Sequence, residues 1–245
     1  MSGRRIDIVE VGPRDGLQND PADLTVEQKV EFVERLIACG VKRLETGSFV
    51  SPKAVPKMAD SAAVFHAVKA KTSARHIALA LNETGVRRAI DAGADEINFV
   101  LVASEAFGLA NQNMTPQQSA EALQHIVPVA AEANIPVSAT IAVAFGDPFS
   151  GEVSAHQVGN LAALAQRAGV VELAVADTIG VADPWHVEAV IDVVRMNAPD
   201  VYLRAHFHNT RNTGLANVAA AVRAGVDVID ASCGGIGGCP FAPGA

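Results

Sequence analysis

Eight short runs of β-branched and other apolar residues alternate with amphipathic stretches, and this alternation constrains the fold more than any other feature of the chain. The connections between the two kinds of segment are short, which is typical of strands and helices that build a parallel sheet. Eight strands at intervals of roughly 30 residues favour closure of that sheet into a (β/α)8 TIM barrel. The strands are predicted at residues 6–11, 43–46, 76–81, 96–102, 137–143, 171–176, 202–208 and 227–231.

The segments between the strands carry signals for helix ends. Thr115 before Pro116, and Asp183 before Pro184, place a capping residue ahead of a first-turn proline. A glycine followed by an apolar residue ends four segments and supplies a left-handed cap. These glycines are Gly40, Gly93, Gly169 and Gly225. The helices are predicted at residues 26–39, 52–70, 86–92, 116–133, 154–168, 184–197 and 215–224.

The first turn argues against an open, doubly wound sheet. Such a sheet carries a glycine-rich phosphate loop after its first strand, and Gly12-Pro13-Arg14-Asp15-Gly16 does not match that pattern. No helical segment follows the eighth strand, so we expect residues 1–245 to form a single TIM-barrel domain that lacks its final helix. Because strands eight and one would then expose an apolar face, we expect the natural protein to continue beyond Ala245.

The composition excludes several classes of function. With 49% hydrophobic and 19% charged residues the chain can bury a large core, yet its apolar runs are too short for a membrane span. The net charge of -8 argues against nucleic-acid binding, which relies on a basic face. Three cysteines do not form a disulfide framework, and no signal-peptide core follows Met1. We therefore expect a cytoplasmic protein with no membrane and no nucleic-acid partner.

Arg14 and Asp15 follow the first predicted strand, and His206 and His208 end the seventh. In a TIM barrel the active site lies at the carboxyl ends of the strands. Residues two apart in a strand share a face, so both imidazoles would point into the barrel mouth while Phe207 packs outward. Two imidazoles and one carboxylate suit a divalent ion with open positions, and these donors fit Mg²⁺, Mn²⁺ or Zn²⁺. The alternative for Arg14 and Asp15 is a surface ion pair.

Two further carboxylates end strands on the same rim. Glu45 ends the second strand and Asp177 follows the sixth. A buried carboxylate beside Arg14 is costly unless it is paired, so we expect Glu45 or Asp177 to hold Arg14 in place. The polar residues that follow other strands are more typical of helix caps and turns. They are Asn82, Ser104 and Thr178.

A glycine-rich segment follows the eighth strand, Gly234-Gly235-Ile236-Gly237-Gly238-Cys239-Pro240. Four glycines in five positions allow turns that other residues cannot adopt. One interpretation is a mobile active-site loop that brings the thiol of Cys239 to a substrate. The other is a flexible tail with an incidental thiol.

Five segments, which run from the first strand to the last residue, carry recognisable motifs: VEVGPRDGLQN (9–19), ETGSFVSPK (45–53), DTIG (177–180), HFHNT (206–210) and GGIGGCPFAPGA (234–245). Together they resemble the 3-hydroxy-3-methylglutaryl-CoA (HMG-CoA) lyase family. The Arg-Asp-Gly and His-x-His motifs are shared with a wider superfamily of metal-dependent barrel lyases and condensing enzymes. The glycine loop with Cys239 narrows the resemblance to the lyases.

The resemblance implies a divalent metal, Mg²⁺ or Mn²⁺ rather than Zn²⁺, held by Asp15, His206 and His208. It implies an acyl-CoA substrate and a retro-Claisen cleavage of HMG-CoA to acetyl-CoA and acetoacetate, as in leucine degradation and ketone-body metabolism. Such barrels often pair, so a homodimer is expected. The residues implied in catalysis are Arg14, Cys239, Asp177, Glu45 and His206.

The chain departs from the family pattern in two places. The family signature continues past Ala245 to an asparagine that supplies another metal ligand. Asn209-Thr210-Arg211 replaces an acidic continuation after His208, which leaves the identity of the acyl-CoA substrate open.

Two other functions are compatible with these residues. One is a transferase that condenses acetyl-CoA with a 2-oxo acid, which the Cys239 loop disfavours. The other is a non-catalytic barrel that binds metal and ligand.

Overall fold

The computed structural model describes residues 5–238 and contains a closed barrel of eight parallel strands. Each strand pairs with the next in the sequence, and β1 pairs with β8 to close the barrel. This confirms the TIM barrel, and all eight strands lie where the alternation predicts. They are β1 (Asp7–Glu10), β2 (Arg43–Ser48), β3 (Arg75–Ala80), β4 (Glu96–Val102), β5 (Val137–Ala142), β6 (Glu172–Asp177), β7 (Tyr202–Phe207) and β8 (Val228–Ala231).

The helices surround the barrel between successive strands. Among the residues that the structure describes, no α-helix follows β8. The helices are α1 (Leu17–Asn19), α2 (Val26–Ala38), α3 (Ser61–Lys69), α4 (Glu83–Asp91), α5 (Glu105–Gln112), α6 (Pro116–Glu132), α7 (Ala155–Ala168), α8 (Pro184–Asn197) and α9 (Gly214–Arg223).

Two predictions about the helices are wrong. The helix expected over residues 52–70 is α3 alone, preceded by a 3-10 turn at Pro56–Met58. Proline has no N–H to donate and disfavours helix in the residue before it, so Pro56 interrupts the segment. The helix α5 was not expected, and Ser104 begins it by accepting a hydrogen bond from the Phe107 N–H through its hydroxyl oxygen.

Local capping explains where the other helices begin and end. Thr25, Thr115 and Ser154 each form a capping box with a glutamine three residues later. The four predicted glycines adopt φ values between +87° and +100°, a region that glycine enters without steric cost. Each helix therefore stops where the chain must turn back into the barrel.

The main apolar core lies between the outer faces of the strands and the helices. Ile97, Phe99 and Leu101 of β4 are fully buried in it, as are Leu123 of α6 and Ile191 of α8. Alternate residues of each strand point outward in this way, because successive side chains of a strand lie on opposite faces.

The barrel interior is much more polar than this outer layer. Arg204 of β7 is 1% exposed, and one nitrogen of its guanidinium lies 3.2 Å from the Glu172 carboxylate. Arg43 at the amino-terminal end of the barrel bridges Glu96 and Glu172, with 2.6 Å to each carboxylate. Charged side chains therefore lie inside the barrel from the amino-terminal ends of the strands towards their carboxyl ends. Within the described residues, no helix is both long enough and apolar enough to cross a membrane.

Candidate active site

The turn after β1 brings Arg14 and Asp15 into the mouth of the barrel. Residues Gly12–Gly16 form one π-helical turn directly after the strand. The Glu10 carboxylate accepts a hydrogen bond of 2.8 Å from the Gly12 N–H and fixes the start of this turn. A Cβ atom at Gly12 would lie 2.7 Å from the Glu10 carboxylate, so a larger residue there would displace Glu10 from its hydrogen bonds.

Arg14 is held by two carboxylates. Its Nε and one terminal nitrogen donate to Glu45 Oε2 at 2.9 and 2.7 Å, and the other nitrogen donates to Asp15 Oδ1 at 2.8 Å. Burial alone would lower the pKa of Arg14, but the charges of Glu45 and Asp15 outweigh it and raise the pKa. Arg14 is therefore a permanently charged group in a fixed orientation. Of the two partners expected for Arg14, the structure selects Glu45.

Asp15, His206 and His208 converge on one point at the rim. Each offers one ligand atom, and the three atoms lie within 4.8 Å of one another. Asp15 Oδ2 is 4.0 Å from His206 Nε2 and 3.8 Å from His208 Nε2. Phe207 points outward, as predicted, and packs against Phe145 with ring centroids 5.9 Å apart.

The two imidazoles have different surroundings. Burial lowers the pKa of His206, but its hydrogen bond to Asp230 and the charges of Asp230 and Asp15 outweigh this, and the pKa is raised. Burial and the neighbouring His206 lower the pKa of His208 to about 4. Without a bound cation, the two rings therefore differ in their tendency to carry a proton at neutral pH.

Asp177 lies at the rim but does not contact Arg14. Its two carboxylate oxygens accept hydrogen bonds from the Val181 and Ala182 N–H groups, at 2.9 and 3.0 Å. Burial raises the pKa of Asp177, and these hydrogen bonds offset only part of that shift. The carboxylate thus shapes the loop between β6 and α8. Within that loop, Gly180 has a φ of +64° and packs so closely on Thr210 that a side chain would not fit.

The described part of the glycine loop packs against the β1 turn. The Cys233 N–H donates to Glu10 Oε1 at 3.0 Å, so Glu10 joins the loop to the Arg14 turn. The Asn19 side-chain amide donates to the carbonyls of Asp15 and Gly238, at 3.0 and 2.8 Å. The loop therefore reaches the site. Cys239 lies outside the described residues.

These groups surround a cavity of about 210 Å³ at the mouth of the barrel. One wall carries the polar groups already described, and the other is apolar, with Leu79, Leu81, Val100 and Phe107. A cavity with an apolar body and a few convergent polar groups is typical of a small-molecule site. Phe107 comes from α5, the helix that sequence patterns missed.

Sequence reasoning also missed three polar residues inside the barrel. Asn98 of β4 donates to Glu45 Oε1 at 3.0 Å, and Asp230 and Arg204 lie behind His206. Each interrupts an apolar strand run, and that interruption is the signal that identifies them. Of the other three polar strand ends, two cap helices as expected, and the third, Thr178, accepts a hydrogen bond of 2.8 Å from the Val143 N–H beside the cavity. Asn82 caps α4 and Ser104 caps α5. Arg211 is exposed and donates to the Val181 carbonyl at 3.5 Å.

The donor set fits a divalent cation on two grounds. One carboxylate oxygen and two imidazole nitrogens from Asp15, His206 and His208 point at one position, as mixed oxygen and nitrogen ligands of such ions do. With His206 neutral, as a metal ligand must be, the connected side chains inside the barrel also carry one more carboxylate than guanidinium, even when the half-exposed Arg75 is included. The carboxylates are Asp15, Glu45, Glu96, Glu172 and Asp230, and the arginines are Arg14, Arg43, Arg75 and Arg204.

The closed parallel barrel, with its polar groups gathered at the carboxyl ends of the strands, places the chain among TIM-barrel proteins with a candidate metal centre. The sequence model of the HMGL-like family matches residues 5–240. The chain therefore belongs to the HMGL-like family.

Individual relatives agree with this assignment. A 3-hydroxy-3-isohexenylglutaryl-CoA/hydroxy-methylglutaryl-CoA lyase of Pseudomonas aeruginosa is 38% identical over 99% of this chain and 81% of its own length. An (R)-citramalyl-CoA lyase of Chloroflexus aurantiacus is 41% identical over 97% of this chain and 78% of its own length. The crystal structure of the HMG-CoA lyase from Brucella melitensis superposes with a TM-score of 0.94 at 37% identity, covering 99% of this chain and 86% of that one.

Proposed function

We propose that this protein is a metal-dependent carbon–carbon lyase that cleaves HMG-CoA, or a close 3-hydroxyacyl-CoA, to acetyl-CoA and acetoacetate. The observation that carries the proposal is the convergence of Arg14 and the Asp15–His206–His208 set at one end of the cavity. A retro-Claisen cleavage needs a group that stabilises an enolate oxygen, a place for the hydroxyl proton and a proton donor for the departing carbon.

Asp15, His206 and His208 would hold Mg²⁺ or Mn²⁺, with Zn²⁺ as the less favoured ion. When bound, such an ion supplies Lewis acidity to the substrate oxygens. Asp15 also pairs with Arg14, so the candidate metal set and the catalytic cation have a fixed spacing. That spacing would orient the tertiary hydroxyl and the thioester carbonyl of one substrate relative to each other.

Arg14 is suited to the thioester oxygen. As the C–C bond breaks, its electron pair moves onto the acetyl-CoA fragment and forms an enolate, while the former hydroxyl carbon becomes the ketone of acetoacetate. A cation that is already oriented stabilises such a developing charge without reorganisation. Glu45 and Asp15 provide that orientation by holding three nitrogens of the guanidinium.

Two proton transfers complete the reaction. The tertiary hydroxyl, made more acidic by the bound cation, loses its proton to solvent in the cavity mouth. His206 supports this step as a ligand and not as a base, because Nε2 faces the metal position and Nδ1 is hydrogen-bonded to Asp230. The acetyl-CoA enolate must gain a proton at carbon, and we assign this step to the Cys239 thiol. The assignment is supported by Gly238, the preceding residue, which lines the cavity and whose carbonyl is held by Asn19. Asp177 supports the site by shaping the loop after β6.

A substrate one methylene shorter is a second candidate, because an (R)-citramalyl-CoA lyase is 41% identical to this chain. The same bond cleavage on citramalyl-CoA would release acetyl-CoA and a 2-oxo acid. The two candidates differ only in the acyl group that fills the cavity.

The test is to incubate the purified protein with each thioester, with Mg²⁺ or with a chelator, and to identify the products. Magnesium-dependent release of acetoacetate from HMG-CoA supports the first candidate. Preferred cleavage of citramalyl-CoA supports the second. Condensation of acetyl-CoA with a 2-oxo acid and no cleavage would contradict the lyase proposal, and so would ligand binding without turnover.

The role of Cys239 predicts a separation between binding and turnover. Cys239→Ser should bind Mn²⁺ as the wild type does but lose most turnover, roughly 10²-fold or more, because serine is a far weaker acid than cysteine. Cys39→Ser is the matched control, since Cys39 is an exposed thiol at the end of α2. Steady-state acetoacetate release measures both variants, and undiminished turnover in Cys239→Ser would end the assignment.

The acidic composition and the scarce cysteines favour a cytoplasmic protein with an acyl-CoA substrate as its main partner. We also infer a homodimer, which sedimentation of the purified protein tests.

A further inference from the structure

Asp230 lies next to His206 inside the barrel. The register of β7 and β8 places Ala205 opposite Ile229, so the following residues, His206 and Asp230, are lateral neighbours. The Asp230 side chain is only 6% exposed. Its Oδ2 lies 3.0 Å from His206 Nδ1, which is a hydrogen-bond distance.

This contact determines which nitrogen of His206 faces the candidate metal position. An ionised carboxylate can only accept a hydrogen bond, so Nδ1 of His206 carries the hydrogen. The lone pair is then on Nε2, the atom that faces Asp15 Oδ2 at 4.0 Å. Among the described residues, no side chain forms such a hydrogen bond with the His208 ring. The two imidazoles are therefore oriented by different means.

Arg204 holds the other side of Asp230. Its Nε is 3.4 Å from Asp230 Oδ1, and its terminal nitrogen is 3.2 Å from Glu172 Oε1. The Arg204 side chain is 1% exposed and that of Asp230 is 6% exposed, so this ion pair is shielded from water. One oxygen of Asp230 thus faces a guanidinium at ion-pair distance, without a hydrogen bond, and the other accepts the hydrogen bond from His206.

We propose that Asp230 is a positioning residue that sets the tautomer and ring orientation of His206, and that Arg204 fixes Asp230 in turn. The inference rests on the proposed function, in which His206 Nε2 is a metal ligand. Hydrogen bonds to the non-ligating nitrogen commonly orient a metal-binding imidazole and increase its basicity.

Asp230→Asn tests the tautomer directly. An amide has a single acceptor oxygen, which Arg204 would attract, so the amide N–H₂ would face His206 Nδ1. The ring should then move its hydrogen to Nε2. Proton–nitrogen NMR of the histidine side chains distinguishes the two tautomers in the metal-free protein at about pH 9, where imidazoles are neutral. The His206 signals are assigned by their loss in His206→Gln.

The same variants are compared for binding of Mn²⁺ by calorimetry. Asp230→Asn should weaken the affinity by about 10- to 100-fold. Asp227→Asn is the matched control. This aspartate lies three residues earlier in the chain, outside the candidate site, and its carboxylate forms an ion pair of 2.7 Å with Arg195. The control should keep the wild-type affinity and the wild-type His206 tautomer.

The outcomes separate this inference from the proposed function. A His206 with its hydrogen on Nε2 in the wild type, or an unchanged tautomer in Asp230→Asn, overturns the inference. If the wild type fails to bind Mn²⁺, the metal-dependent proposal falls, while the tautomer comparison still decides the role of Asp230. If Asp230→Asn fails to fold, Asp230→Glu is used instead. We expect this variant to keep the wild-type His206 tautomer, because it retains a carboxylate. It should bind Mn²⁺ more weakly than the wild type, because the longer side chain displaces the imidazole ring. Wild-type affinity in Asp230→Glu would contradict positioning.

Discussion

The two faces of the same eight strands have opposite chemistry. Outside, β4 buries Ile97, Phe99 and Leu101 against the helices, while on its inner face Asn98 donates to Glu45. The outer layer stabilises the fold by removing apolar surface from water. The inner layer contains buried charges, which contribute little net stability and become costly when a partner is removed. Side chains that point outward from the barrel therefore stabilise the fold, and side chains that point inward form the candidate active site.

A substitution at Arg14 tests the inner layer and should have the largest effect. Arg14→Met removes the cation proposed for the enolate oxygen and leaves Glu45 and Asp15 without it. We expect kcat for thioester cleavage to fall about 10³-fold, equivalent to about 4 kcal/mol of transition-state stabilisation. Product release measured by a coupled assay gives kcat, and the unfolding midpoint shows whether the barrel persists.

Arg87, an exposed arginine that pairs with Glu83 on α4, supplies the control for Arg14. Arg87→Met should keep kcat within about twofold of the wild type, because a substitution at an exposed position away from the cavity changes stability and activity little. Equal losses in both variants would contradict the central role given to Arg14.

Leu123→Ala tests the outer layer. Leu123 on α6 is fully buried in the main core, and truncation leaves a cavity there. We expect the free energy of unfolding to fall by about 3 kcal/mol, with kcat and KM unchanged at temperatures where the variant is folded. Urea titration measures the first quantity and steady-state kinetics the second. A large loss of kcat in the folded variant would show that the two layers are not separable.

His76 sharpens the comparison, because it is a titratable group on the outer side. It is fully buried between the hydroxyl oxygens of Thr46 and Thr72, at 2.8 and 3.0 Å, and packs on Phe65. Burial lowers the pKa of His76 to about 4. Between its ordinary pKa of 6.5 and about 4, the unfolded chain binds a proton that the folded chain does not, so stability falls as the pH falls.

The expected loss from His76 is roughly 1.4 kcal/mol for each pH unit below its ordinary pKa. His76→Gln keeps hydrogen-bonding groups but does not titrate. Its unfolding free energy should therefore depend less on pH between 6.5 and 4 than that of the wild type. Urea titrations of both proteins across this range measure the difference. Parallel curves would mean that His76 does not contribute to acid sensitivity.

The outer layer was the more predictable of the two. Alternating apolar runs, capping residues and terminal glycines are local signals, and they located all eight strands. These signals gave wrong predictions for two helices, the one that Pro56 interrupts and the additional one that begins after Ser104. The first is a proline effect that the sequence displays, and the second is a helix of only eight residues with a glycine, Gly108, in its interior.

The inner layer was predicted only where a motif marked it. Arg14, Asp15, His206 and His208 stand at strand ends, so the barrel topology brings them together. Which carboxylate would pair with Arg14 depended on distances between strands, and spacing along the chain does not determine these. The roles of Asp230 and Arg204 depend on the register between β7 and β8. A single charged residue within an apolar strand indicates that its side chain is buried, but it does not indicate which residue forms the ion pair with it.

The pairing of β1 with β8 also has a consequence for how the protein acquires its chemistry. Arg14 and Asp15 emerge early in synthesis, whereas His206, His208 and the last strand emerge near the end. Contacts between residues so distant in sequence are slow to form, because a long loop must close first. The reactive centre is therefore complete only when the first and last strands pair and close the barrel. A nascent or proteolysed chain that ends before β7 would present its arginine turn without the imidazoles and would be inert.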